Sequence, residues 1–221
     1  MSLVIPAIVD GELQQAVEEE LLWDPAVALG SVGVSAQDHA VTLSGRVRHY
    51  SNRLAAVRAA KRVRGVHVIA DEIVVEPAGV NGRTDADIAE YTEHALTWNA
   101  EVPASVGATV REGVVTLDGM ADWDFQRRAA AGVVEHIAGV VDVVDNITLR
   151  PVASSHDVHE QIASVLQRAA DVDASTIHVT SDAGQVNLTG SVSSVAERER
   201  ALQAVWSAPG ITKVSDELTI R

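Results

Sequence analysis

The 221-residue chain contains no cysteine. It therefore has no disulfide framework, no thiolate zinc site and no cysteine nucleophile. Aromatic residues make up 3% of the chain, with four Trp, two Tyr and one Phe. That is too few for the interleaved aromatic and basic surface on which nucleic-acid bases stack. Basic side chains are outnumbered, 17 Lys and Arg against 31 Asp and Glu, for a net charge of −14. Neutralising phosphates needs a surplus of Lys and Arg, so nucleic acid is excluded as a general partner. No run approaches the roughly 18 apolar residues that a membrane-spanning helix requires. No Lys or Arg precedes Arg46, and the first apolar stretch is interrupted by Pro6 and stopped by Asp10. That pattern fits no secretory signal. A cytoplasmic protein is the expectation.

What is present is a repeat. Val41-x-Leu43-x-Gly45 recurs as Val115-x-Leu117-x-Gly119 and as Val186-x-Leu188-x-Gly190. A second glycine follows each at the same spacing of 20 residues, at Gly65, Gly139 and Gly210. From each second glycine the chain runs Gly, apolar, two free positions, apolar, one free, Asp, one free, apolar, one free, apolar. Val66, Ile69, Ile73 and Val75 are answered by Val140, Val143, Ile147 and Leu149, and by Ile211, Val214, Leu218 and Ile220. Three homologous modules follow, over residues 10–76, 84–150 and 154–221, each small enough to be marginally stable alone.

Each module reads as αββαβ. A first helix is expected from Gly11 to about Trp23, Asp85 to about Trp98 and Ser155 to about Ala169, from apolar residues at helical spacing. Two alternating strands follow, joined at Asp38-His39, Glu112-Gly113 and Asp182-Ala183-Gly184. A second helix fills the gap between the paired glycines. The later glycine is expected to be its left-handed C-cap, and a last strand completes the unit. Pro77-Ala78-Gly79-Val80-Asn81-Gly82 and Pro151-Val152-Ala153-Ser154 are short linkers that stop strand pairing, so the modules should touch.

The Val-x-Leu-x-Gly strand, the helix, and the Gly-Val-x-x-Val-x-Asp/Asn-x-Ile/Leu ending resemble the BON domain, named for bacterial OsmY and nodulation proteins, in three tandem copies. The resemblance implies an α/β fold with a small mixed three-stranded sheet packed with two helices. It also implies a non-enzymatic, transport-associated or stress-associated module proposed to bind phospholipid. Relatives that couple the module to a LysM domain suggest a potassium or small-ion sensor as an alternative, although no LysM segment is present.

The residues themselves offer few chemical sites. The seven basic residues of the first module all lie between Arg46 and Arg64, with no Asp or Glu among them. On the second helix, Arg58, Lys61 and Arg62 share a face at i, i+3 and i+4, opposite Ala56, Ala59, Ala60 and Val63. With Arg53 and Arg64 they form the candidate anion or lipid-headgroup site. A solvated face that balances the acidic first helix is the alternative reading. Trp23 and Trp98 end their first helices and are candidate interfacial aromatics, or else cap a small core. Trp123, Phe125 and Trp206 invite the core explanation. Arg53, Arg127 and Arg198 recur at one place in the repeat, as do Asp71, Asp145 and Asp216, which suggests a shared turn, cap or ion pair.

His156 and His159 form no His-Glu-x-x-His motif, and Asp171-Val172-Asp173-Ala174-Ser175 departs from a calcium loop at Thr176 and Asp182. No nucleophile elbow, phosphate loop or dinucleotide fingerprint occurs. No enzyme, metal or cofactor is expected. The expected partners are an anionic phospholipid surface bound peripherally, or a protein docked on sheet edges and Ala-rich helices, including a second copy of the chain.

Overall fold

The computed structural model describes residues 10–27, 30–77, 83–150, 176–182, 184–208 and 211–220. Module 1 comprises α1 (Asp10–Trp23), β1 (Val32–Gln37), β2 (Ala40–Val47), α2 (Tyr50–Arg62) and β3 (Val68–Val75). Module 2 repeats the order with α3 (Asp85–Trp98), β4 (Gly107–Arg111), β5 (Val114–Ala121), α4 (Asp124–Val134) and β6 (Asp142–Leu149). Module 3 shows β7 (Ile177–Asp182), β8 (Gln185–Val192), α5 (Val195–Trp206) and β9 (Lys213–Ile220). The first helix expected over 155–169, the two histidines within it and the calcium-like loop lie outside the described residues.

Each module carries its own three-stranded mixed sheet with the Val-x-Leu-x-Gly strand in the centre. The hairpin partner runs antiparallel to it and the last strand parallel. Strand alternation sends Val41 and Leu43, Val115 and Leu117, and Val186 and Leu188 to one face, where all are at most 2% exposed. In module 1, helices α1 and α2 both pack there: Leu13, Val17 and Leu21 from α1 meet Ala55, Ala56, Ala59 and Ala60 from α2. The small alanines let α2 lie close to the sheet. Its alanine face is thus consumed by its own module and is not available to dock a partner.

The repeat glycine has a steric cause. Gly45, Gly119 and Gly190 hold φ of 137°, 135° and 123°. A Cβ there would stand 2.1 Å from Ser31 O, 2.2 Å from Ser105 O and 2.0 Å from Thr176 O. The residue that leads into the first strand crosses the centre strand at this point, leaving no room for a side chain. The two-residue hairpin turns at Asp38-His39 and Glu112-Gly113 are left-handed at both positions, as a tight hairpin needs. An aspartate at the start of the first helix fastens each turn: Asp10 accepts from Asp38 N, and Asp85 accepts from Glu112 N and Gly113 N.

One expectation is corrected. The second glycine is not the helix cap. Helix α2 ends at Arg62 with an extended Val63 as its C-cap, and α4 ends at Val134. Gly65 and Gly139 lie further on, at φ of 92° and 100°. At Gly139 a Cβ would press on Ile88 of α3 at 2.9 Å, so this glycine lets the chain turn beneath the first helix. Gly210 lies outside the described residues.

Candidate functional site: the second helices and the exposed tryptophans

The recurring Arg and Asp form an ion pair that ties the second helix to the last strand of its own module. Arg53 Nε donates to Asp71 at 2.8 Å and Arg198 Nε to Asp216 at 2.6 Å. The other oxygen of each aspartate accepts from the backbone two residues on, at Ile73 and Leu218, and Asp145 does the same with Ile147. In module 2 the pair is loosened. Arg127 Nε stands 3.8 Å from Asp145 and is buried without a hydrogen-bond partner. Its guanidinium instead pairs with Asp124 and lies over the Trp206 ring, 5.0 Å from the centroid. Asp124, 3% exposed, is also held by Arg128 at 2.7 Å.

The Trp206 contact belongs to a set that links the modules. Lys61, Glu135 and Trp206 occupy the same place in the repeat, counted from Gly45, Gly119 and Gly190. Each reaches the second helix of a different module. Lys61 pairs with Glu199 on α5, Glu135 with Arg58 on α2 at 3.6 Å, and Trp206 stacks on Arg127 of α4. Module 1 touches module 3, module 3 touches module 2, and module 2 touches module 1. The three second helices close a cycle with pseudo-threefold character.

The contact between modules 1 and 2 is also packed. Tyr50 is 9% exposed and joins the core of module 2, with Leu54 and Val75 against it. Burial, followed by the neighbouring Asp142 carboxylate, pushes the Tyr50 hydroxyl up to about 12. Arg53 also reaches Asp142, at 3.8 Å. Burial works against its charge, but Asp71 and Asp142 more than offset this and hold its pKa above the ordinary value.

The candidate basic face is therefore neutralised at four of its five positions. Arg53 faces Asp71 and Asp142, Arg58 faces Glu135, Lys61 faces Glu199, and Arg62 binds Glu20 at 2.7 Å and Asp24 at 3.0 Å. The Arg62 hydrogen bond holds Asp24 below the usual carboxylate range. Arg64 is exposed and has no ion-pair partner among the described residues. The carboxylates that meet Arg58 and Lys61 come from other modules, and helical spacing within α2 carries no signal of them.

Trp23 is 83% exposed and Trp98 88% exposed, so neither caps a core. The inward stripe of α1 is Leu13, Val17 and Leu21, and that of α3 is Ile88, Thr92 and Leu96. Each tryptophan stands two residues beyond the last of these, which at about 100° per residue turns it away from the core. The register of the stripe was the available signal. Both helices lack Lys and Arg, with acidic side chains at Glu18, Glu19 and Glu20 in α1 and at Glu90 and Glu93 in α3. Trp123 and Phe125 are also exposed, at 39% and 48%, contrary to the core expectation, whereas Trp206 packs partly on the module 3 core.

Among the described residues no cluster of three or more His, Asp or Glu is placed to hold a metal ion. No described helix is long and apolar enough to cross a membrane.

The BON domain profile matches residues 9–77, 84–151 and 154–221. The chain belongs to the BON domain family. No curated protein matches its sequence. Among solved structures the BON chain is similar to CdsD, a structural protein of the type III secretion system of Chlamydia trachomatis. That likeness has 15% identity over 95% of this chain and 92% of CdsD, with a TM-score of 0.26. It is also similar to the periplasmic domain of PrgH, a type III secretion inner-membrane protein from S. typhimurium. There the identity is 10% over 87% of this chain and 96% of PrgH, with a TM-score of 0.23.

Proposed function

We propose that this triple-BON chain is a non-catalytic scaffold whose second helices hold the modules together and whose exposed first-helix ends dock a protein partner. The observation that supports this most is the fate of the basic helix. Arg58 and Lys61 are directed at carboxylates of modules 2 and 3, so the side chains best suited to anionic headgroups serve the cycle between modules. The docking ends are acidic and tipped by Trp23 and Trp98, a combination suited to a partner segment with both basic and apolar character. As in other BON proteins that the family resemblance implies, the setting would be a stress or transport process.

Peripheral binding to anionic phospholipid is the second reading. Exposed Trp23 and Trp98 favour it, since a tryptophan at a bilayer interface needs no local cation. The two readings separate by experiment. Co-sedimentation with phosphatidylglycerol and phosphatidylcholine vesicles at low and high salt is compared for the parent and for Arg58→Gln/Lys61→Gln/Arg62→Gln. The scaffold reading expects no salt-sensitive binding to anionic vesicles, and a triple variant whose modules unfold less cooperatively. Anionic-vesicle binding that is lost with salt and in the triple variant, with module coupling unchanged, establishes the lipid reading instead.

A further inference from the structure

The contacts that close the cycle of modules use a different chemistry at each step. At the end of the second helix stand Lys61, Glu135 and Trp206, a cation, an anion and a neutral indole, at the same place in the repeat. The groups that receive them are Glu199 of α5, Arg58 of α2 and the Arg127 guanidinium of α4. Each contact joins the end of one helix to the side of another. Such a contact is heterologous, and three of them close a cycle with a direction. Lys61 meets an anion, Glu135 meets a cation, and the Trp206 face meets a cation that its quadrupole attracts.

Exchanging modules 2 and 3 around the cycle would spoil this match. Lys61 would then be turned on Arg127, and Glu135 on Glu199, so that two like-charged encounters replace two opposite ones. The Lys61 and Glu135 side chains are 29% and 21% exposed, and charges held partly out of water are screened less than those in open solvent. Module 2 shows what the third contact displaces. Arg53 and Arg198 each donate Nε to the recurring aspartate of their own module, Asp71 and Asp216. Arg127 stands at the same place, yet its Nε lies 3.8 Å from Asp145 and finds no acceptor. Its guanidinium is turned instead to Asp124 and to the indole of Trp206. A bond that both other modules keep has given way where the cycle needs the guanidinium.

We propose that the ends of the second helices form a recognition code that admits one direction of the cycle, 1 to 3 to 2 to 1, and rejects the reverse. Lys61, Glu135 and Trp206 are read by Glu199, Arg58 and Arg127. The like-charged encounters of the reverse direction supply the rejection. The inference rests on the scaffold reading and adds to it which module each helix end accepts.

The test exchanges charges without changing their sum. Lys61→Glu/Glu135→Lys keeps the net charge at −14 but turns both helix ends on like charges. Spin labels on exposed residues of modules 1 and 3 report the distance between them in the full chain, and sheet amide resonances report that each module stays folded. The expected result is loss of the narrow parental distance. Adding Arg58→Glu/Glu199→Arg exchanges the receiving groups as well and should restore it. Should the exchanged variant unfold, Trp206→Ala decides. The Arg127 Nε–H should then bond to Asp145, and its exchange with solvent should slow to that of Arg198. The proposal is overturned if the exchanged variant keeps the parental distance, if the four changes together do not restore it, or if Trp206→Ala leaves the Arg127 Nε–H unaltered. A broad distribution already in the parent overturns the scaffold reading with it, whereas a narrow parental distance indifferent to the exchange overturns the code alone.

Discussion

Replacing Gly119 with alanine tests whether the repeat glycine is fixed by sterics. At φ of 135° an added Cβ would stand 2.2 Å from Ser105 O and 2.9 Å from the Val106 Cα. Both are backbone, so no rotamer change relieves the overlap. The left-handed conformation alone costs about 1–2 kcal/mol for a residue with a Cβ. Relief of the overlap requires the lead-in to β4 to move off β5, which threatens the Ser105 hydroxyl bond to Met120 O and the Thr148 bond to Gly119 O. Each is worth about 0.5–1.5 kcal/mol. A loss of about 2–5 kcal/mol follows, a large share of the roughly 5–15 kcal/mol typical of a native domain. Gly132 in α4 is the internal control, because a Cβ there meets nothing within 4 Å. In a helix interior Gly132→Ala should stabilise by about 0.5–1 kcal/mol. Urea unfolding followed by tryptophan fluorescence measures both, provided the slopes agree. The reasoning is refuted if Gly119→Ala is as stable as the parent, or if both alanines shift the midpoint in the same direction.

Three further outcomes follow from the same structure. Of the two tyrosines, Tyr50 should titrate near 12, well above the usual value of about 10. Asp142→Asn should lower it, and Tyr50→Phe should remove the late phase from an ultraviolet pH titration. His67 stacks on His39 at 4.5 Å between ring centroids, and burial, then the His39 charge, lowers its pKa. The unfolded chain binds this proton more readily, so the contribution of His67 to stability is present above about pH 6.5 and is lost as pH falls below it. Thermal melts from pH 8 to pH 5 should show a decline that His67→Phe flattens. Leu117→Ala, at a side chain that is 0% exposed, should cost about 2–5 kcal/mol by chemical unfolding.

Much of the fold was legible because it is set by short-range rules written three times. Strand alternation places Val41 and Leu43 inward, and a backbone overlap makes Gly45 a glycine, so the repeat reports the pleat and the crossing directly. The Arg53–Asp71 pair was legible for the same reason, since both partners recur together. The chain did not reveal the role of the basic helix. Arg58 and Lys61 share a face in α2, but what neutralises them is Glu135 and Glu199, which lie in other modules and follow no local spacing. Nor did it reveal that Gly65 serves the turn after the helix rather than the cap, because helix length is settled by how α2 packs on the sheet. The exposure of Trp23 was readable, but only by projecting it from Leu13, Val17 and Leu21 rather than from its size.

The central claim is that the basic side chains of α2 hold modules together. The most direct measurement is the distance distribution between spin labels placed on exposed residues of modules 1 and 3, in the parent and in Lys61→Gln/Arg58→Gln. The account predicts one narrow distance in the parent and a broadened distribution in the variant, with each module still folded. An unchanged narrow distribution in the variant, or a broad one already in the parent, would contradict it.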